Sequence, residues 1–220
     1  MNYINDLCER RKNLECIKSE IVAAFDSIKN CYKKGNKVLV CGNGGSSADS
    51  SHIVGELLKG FKKSRTIDED YEKKLYKMVE DYYDKNLKLN ARDKVAEMKK
   101  TLEQGLPTID LTSIIGHNTA FANDKNAEYV FANAVLGLGK DGDVLLAITT
   151  SGNSENIIDA ALVAKAKGIK VIALTGKGGG KIKDIADINI IVPLDETYLI
   201  QEEHIAIYHA ICLDIEEEFF

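Results

Sequence analysis

The stretch "KVLVCGNGGSSADSSHIVGELLKGF" at residues 37–61 decides the fold. Its opening "KVLVC" (37–41) is a short continuous apolar run, the mark of a strand buried on both faces. A glycine-rich turn follows, and then a helical stretch to about residue 61. Working outward, "TIDLT" (108–112), "DVLLAIT" (143–149), "KVIALT" (170–175) and "INIIVP" (188–193) repeat the continuous pattern, separated by helical stretches at about 117–136, 155–167 and 199–218. This alternation predicts an α/β protein: a three-layer αβα sandwich around a five-stranded, parallel, doubly wound sheet. In such sheets ligands sit outside the carboxyl ends of the strands, so the loops there carry the functional reading.

Two segments lie outside the alternation. From Tyr3 to Tyr32, Leu7, Leu14, Ile21 and Ile28 recur every seven residues, with Ile17, Ala24 and Cys31 between them. The spacing predicts one helix of about 30 residues, about 45 Å long, within an N-terminal segment 1–35. Its apolar seam either lies across one domain or, as its length favours, packs on another subunit. Between Lys62 and Gln104, 22 of 43 residues are charged, while Leu75, Val79, Tyr82 and Tyr83, then Val95, Met98 and Leu102, recur at helical spacing. A charged helical hairpin inserted at 62–104 is expected, turning near "LNARD", as either a lid or a solvated decoration. The whole chain, 1–220, then reads as one domain.

Composition excludes several partners. The net charge is −5 and no basic block stands out, so nucleic acid is not an expected ligand. No apolar run approaches the roughly 20 residues that span a bilayer. Five scattered cysteines without a C-x-x-C pair point to buried thiols in a reducing, cytoplasmic setting.

The chemistry concentrates in three places. In "CGNGGSSADSSH", Gly42, Gly44 and Gly45 let backbone approach a ligand, and the helix that follows offers free N–H groups. As a dinucleotide fingerprint it fails, because Ser47 replaces the third glycine and the next strand is far downstream. Further along this helix, His52 and Glu56 share a face, able to hold a metal, move protons or simply pair as a surface ion pair. In "TTSGNSEN", Thr149, Thr150, Ser151 and Ser154 set four hydroxyls around Gly152 just before a helix. That is either a phosphate cradle, a helix cap by Asn153 or Ser154, or both, with Glu155 slightly opposing a bound dianion. "TGKGGGKIKD" (175–184) lacks P-loop spacing and reads as a flexible loop. In the last helix, Gln201, Glu203, His204 and His209 stand among apolar residues and need partners.

These motifs, with "FAND" at 121–124, resemble the SIS (sugar isomerase) domain family, and within it the phosphoheptose isomerases that act on sedoheptulose 7-phosphate. The resemblance spans nearly the whole chain except the hairpin; the family usually has Ser-Thr-Ser where Thr149, Thr150 and Ser151 stand. It implies a flavodoxin-like sheet, and that Asn43, Gly44, Gly45, Asn123, Asp124 and Gln201 contact a sugar phosphate. The phosphate would rest on Thr149, Thr150, Ser151 and Ser154. His52, Glu56, Gln201 and His209 fall at the family's metal-ligand positions, with zinc the implied ion, and Glu56 and His209 at its catalytic pair. It further implies a homotetramer with sites at subunit interfaces.

Aldose–ketose isomerisation needs a proton removed from C1, an enediol held, and a proton returned at C2. A carboxylate and an imidazole on opposite sides of that carbon pair can do this, and zinc could stabilise the enediolate charge. Gln201 and His209 would stand about 12 Å apart along an unbroken helix. Either Gln201 precedes the helix, or two subunits build the site. The other expected class is a non-catalytic SIS protein that binds a sugar phosphate or a protein partner as a regulator.

Overall fold

The computed structural model describes residues 2–86 and 90–220, without the side chains of residues 84–86. Five strands form one sheet: β1 (Val38–Gly42), β2 (Thr108–Asp110), β3 (Val144–Ile148), β4 (Lys170–Thr175) and β5 (Ile188–Ile191). All four pairings are parallel, in the order β2-β1-β3-β4-β5, with Val38 beside both Thr108 and Val144. Successive side chains of a strand enter opposite cores, as the period of two requires. Val38, Val40, Leu146, Ile148, Ile172 and Leu174 point to one side, and Leu39, Cys41, Leu145, Ala147, Val171 and Ala173 to the other.

The first core is closed by α1 (Tyr3–Arg10), α2 (Lys18–Lys33), α3 (Gly45–Leu58) and α9 (Thr197–Phe219), through residues such as Leu7, Ile21, Ile53, Ile207 and Ile211. Two helices close the second: α7 (Val130–Leu138) and α8 (Glu155–Ala166), through Val135, Ile157 and Ala161. The expected three-layer sandwich is present. The helical stretch at 117–136 is less regular than the sequence suggests, with α6 (Ile115–Phe121), a π-helical turn at Ala122–Asn126 and a 3-10 turn at Ala127–Tyr129 preceding α7. Four cysteines are buried and Cys16 is exposed; all five are free thiols. Among the described residues, no helix is long and apolar enough to cross a membrane.

The N-terminal segment corrects the sequence reading in two ways. It is not one helix: Arg11 leaves helical geometry (φ −118°, ψ 80°), and a 3-10 segment at Lys12–Ile17 separates α1 from α2. The break has a tertiary cause, since Arg11 pairs with the buried Glu203 at 3.0 Å and Asn13 donates to the same carboxylate at 3.0 Å. The apolar seam is also not left for another subunit. Leu7, Leu14, Ile17, Ile21, Ala24, Ile28 and Cys31 are all buried within the chain's own core. Asp214 of α9 secures the start of α1, accepting from the backbone N–H groups of Asn2, Tyr3 and Ile4.

The hairpin consists of α4 (Glu69–Asn86) and α5 (Ala91–Thr101). Its expected turn at "LNARD" begins at Leu89, outside the described residues, and Asn90 caps α5 by accepting from the Arg92 amide. Val79, Ala91 and Val95 form a small core of their own between the two helices. Below the hairpin, Arg65 is fully buried against Glu216 at 2.9 Å, and it also donates to the backbone carbonyls of Glu56 and Leu57. Glu216 accepts in addition from the amides of Phe61, Lys62 and Lys63. This ties the end of α3 to α9.

Candidate active site

The strand order reverses at β1 and β3, so the loops leaving their carboxyl ends border one crevice. In the first loop a Cβ at Gly42 would meet the Ser46 carbonyl oxygen at 2.4 Å, and Gly44 takes φ +56° as the residue before α3. No side chain caps the start of that helix. Asn43 and Asn156 exchange amide hydrogen bonds of 2.9 and 3.0 Å across the crevice, joining the loop after β1 to α8. Gln201 of α9 lies over Gly45, where a Cβ would come within 2.4 Å of its Nε2.

The second loop carries the hydroxyls. Thr149 is buried and its Oγ1 lies 3.1 Å from Ser154 Oγ. Ser154 precedes α8 but its side chain caps nothing, and Asn153 is engaged elsewhere, donating to the Ser151 carbonyl and accepting from the Lys181 amide. The first turn of α8 thus presents N–H groups without a side-chain cap, beside the hydroxyls of Thr150, Ser151 and Ser154. Glu155 opposes an anion there less than its charge suggests, because Lys181 pairs with it at 2.6 Å. The glycine stretch expected as a flexible loop is instead locked under this cradle. Ile182 donates to the Gly152 carbonyl at 3.1 Å, and Gly152, at φ +66°, passes so close that a Cβ would fall 1.9 Å from the Gly179 oxygen.

The third feature is a cluster between α3 and α9. His52 Nε2 stands 3.4 Å from Glu56 Oε1 and 3.4 Å from His209 Nε2. The His52 and His209 rings meet edge to face at 4.9 Å, and Phe61 closes on His209 at 5.3 Å. Lys59 holds the other oxygen of Glu56 at 3.0 Å. Burial and the neighbouring His52 imidazole hold His209 below the ordinary histidine range, with Glu56 partly offsetting them. A groove of about 470 Å³, lined in part by Tyr3, Phe61, Glu202, Ile205 and His209, opens beside this cluster.

Three of the four residues aligned with metal-ligand positions therefore converge within one chain, and Gln201 does not join them. It lies eight residues before His209 on the unbroken α9, about 12 Å along the axis. The alternative in which Gln201 precedes the helix is removed, since α9 begins at Thr197. Among the described residues, no group of three or more His, Cys, Asp and Glu has the geometry of a metal centre. The donor types of the cluster, two imidazole nitrogens and a carboxylate, are nonetheless those that suit a divalent ion. Asn123 and Asp124 sit exposed in the π-helical turn and bond to each other at 2.8 Å. His204 is buried away from the cluster, its Nε2 3.2 Å from the Thr175 carbonyl.

Sequence reasoning missed Asn156, Asp49, Tyr208 and Arg65. Each is ordinary in its local context, and only the contact across elements singles it out.

A family model described as the SIS domain matches residues 2–74 and 94–176, and the gap between them falls within the hairpin. The chain is 37% identical over 218 residues to the phosphoheptose isomerase of Dechloromonas aromatica, covering 98% of this chain and 92% of that protein. It is 35% identical over 205 residues to the phosphoheptose isomerase of Campylobacter jejuni, covering 93% and 90%. Among solved structures, a phosphoheptose isomerase from Francisella tularensis superposes with a TM-score of 0.74 at 31% identity, covering 98% of this chain and 95% of that one. That of Neisseria gonorrhoeae gives 0.71 at 31% identity, covering 94% and 91%.

Proposed function

The chain belongs to the SIS-domain family, and from that premise we propose that it is an aldose–ketose isomerase of the phosphoheptose type, acting on sedoheptulose 7-phosphate. The observation that carries the reading is the convergence of Glu56, His52 and His209, from two helices far apart in sequence. The reaction moves one proton from C1 to C2 and one from O1 to O2, giving a D-glycero-D-manno-heptose 7-phosphate. Glu56 takes the C1 proton; His209, across the carbon pair, gives C2 a proton from its imidazolium form and so returns to the neutral form its surroundings favour, while the O1 proton passes to O2 through water. The groove beside His209 is open to water, through which both groups return to their starting protonation states. The phosphate rests on Thr149, Thr150, Ser151 and Ser154 and on the uncapped start of α8. Asn43, Gly44 and Gly45 contact the sugar, with Asn123 and Asp124 at its edge. A non-catalytic regulatory role is disfavoured, because such a protein has no use for a carboxylate and two imidazoles brought together from two helices.

Zinc is the proposed ion, held by His52, Glu56 and His209, with Gln201 completing the set from a neighbouring subunit. When bound, it would stabilise negative charge developing on the enediolate oxygens. The distance along α9 from Gln201 to His209 is what supports sharing between subunits, and a homotetramer is the proposed assembly in the cytoplasm.

An assay on purified protein with sedoheptulose 7-phosphate tests the reading. Glu56→Gln keeps the size of the side chain and removes the base, so kcat is expected to fall by roughly 10²-fold or more. No turnover of this or related ketose phosphates, with wild type indistinguishable from Glu56→Gln, overturns it.

A further inference from the structure

Behind His52 stands a buried pair to which the proposed reaction assigns no role. His52 Nδ1 lies 2.9 Å from the hydroxyl of Tyr208, and that hydroxyl donates to Asp49 Oδ1 at 3.4 Å. Tyr208 is 2% exposed and Asp49 6%. The second carboxylate oxygen of Asp49 is buried without a partner. The three residues come from two elements, Asp49 and His52 from α3 and Tyr208 from α9, so the chain of contacts spans the same helix pair as the Glu56–His209 cluster.

The direction of each hydrogen bond follows from what the groups can do. A carboxylate accepts and cannot donate, and a phenol has one proton to give. Tyr208 gives that proton to Asp49, so its oxygen is left as an acceptor toward His52. His52 must then carry its proton on Nδ1. A neutral imidazole has only one, which leaves Nε2 with a lone pair, and Nε2 is the atom that faces Glu56 and His209 at 3.4 Å.

We propose that Asp49 and Tyr208 are positioning residues that fix His52 in the Nδ1–H tautomer, holding Nε2 as a lone pair aimed at Glu56 and His209. The lone pair suits coordination of a cation in place of proton donation to substrate, which separates the task of His52 from that of His209. The inference deepens the isomerase reading, on which its consequence for catalysis rests, while the tautomer itself stands on the hydrogen bonds alone.

Nitrogen-15 NMR of the imidazoles in metal-free protein tests it, with His52→Gln assigning the signals. Wild-type His52 is expected to show a protonated Nδ1 and a bare Nε2. Tyr208→Phe, which removes only the hydroxyl, is expected to populate the Nε2–H form. Zinc affinity, read by chelator competition, should fall roughly tenfold or more in the same variant. A wild-type His52 protonated on Nε2 overturns the proposal whether or not the variant folds, as does a Tyr208→Phe protein with unchanged tautomer or zinc affinity. A wild-type protein with the Nδ1–H tautomer but no isomerase activity would remove the functional reading and leave the tautomer assignment in place.

Discussion

Gly152 shows how much of the cradle depends on one missing side chain. Its φ of +66° and the 1.9 Å approach of an added Cβ to the Gly179 oxygen leave no room for alanine. Gly152→Ala is expected to cost about 1–3 kcal/mol from the backbone conformation alone, with further loss from the collision. The measurements are urea unfolding and KM for the sugar phosphate, and the expected result is lower stability with a raised KM. His204 makes a different kind of prediction. Burial brings its pKa from 6.5 down to about 4. Below pH 6.5 the unfolded chain binds a proton that the folded chain refuses until about pH 4, so stability falls as pH drops through that window. The loss from this one group amounts to about 3 kcal/mol at the acid end. Urea unfolding at several pH values between 7 and 4 checks it, with a shallower slope expected for His204→Gln. At this scale the sequence was legible where a residue type carries its own message: glycines for close approach, hydroxyls before a helix, His52 and Glu56 one turn apart. Asn156 and Tyr208 were not, because an asparagine in a helix and a tyrosine among isoleucines signal nothing until their partners are known.

The elements were legible to the extent that burial writes itself into local pattern. All five strands fall where continuous apolar runs predict them, one with the same bounds, one shifted by a residue and three shorter by two, because each is covered on both faces. The N-terminal helix was misread because heptad spacing continues through the break at Arg11, whose cause, Glu203, lies 192 positions away in sequence. Arg65 makes the same point inside a segment that composition marks as solvated: it is fully buried. Arg65→Met would leave the Glu216 carboxylate buried without its cation, and breaking such a pair costs about 3–5 kcal/mol. Chemical denaturation is the check. Since Arg65 also holds the Glu56 carbonyl, kcat is expected to drop in whatever fraction remains folded.

At the scale of the molecule, one helix supplies both Gln201 and His209, and both cannot serve one ion from the same chain. If sites are shared as proposed, Gln201→Ala and His209→Ala proteins are each inactive alone. Unfolded together and reassembled, they should regain part of the wild-type rate, because some sites in a mixed oligomer receive one intact residue from each chain. No recovery on mixing would count against shared sites. Helix rise alone raises the alternative of a shared site, whereas periodicity reports only which face of a helix is apolar.

The hairpin's separate core has a kinetic consequence. Val79, Ala91 and Val95 are few residues to hold two helices, and the pair joins the rest through a short neck where Thr66 bridges Glu103 and the Gln104 amide donates to the Arg65 carbonyl at 2.7 Å. Such a unit opens by itself, without waiting for the sheet. Amide protons in α4 and α5 should therefore exchange with solvent as one group, far sooner than those of β1 and β3, and proteolysis of the native protein should begin there.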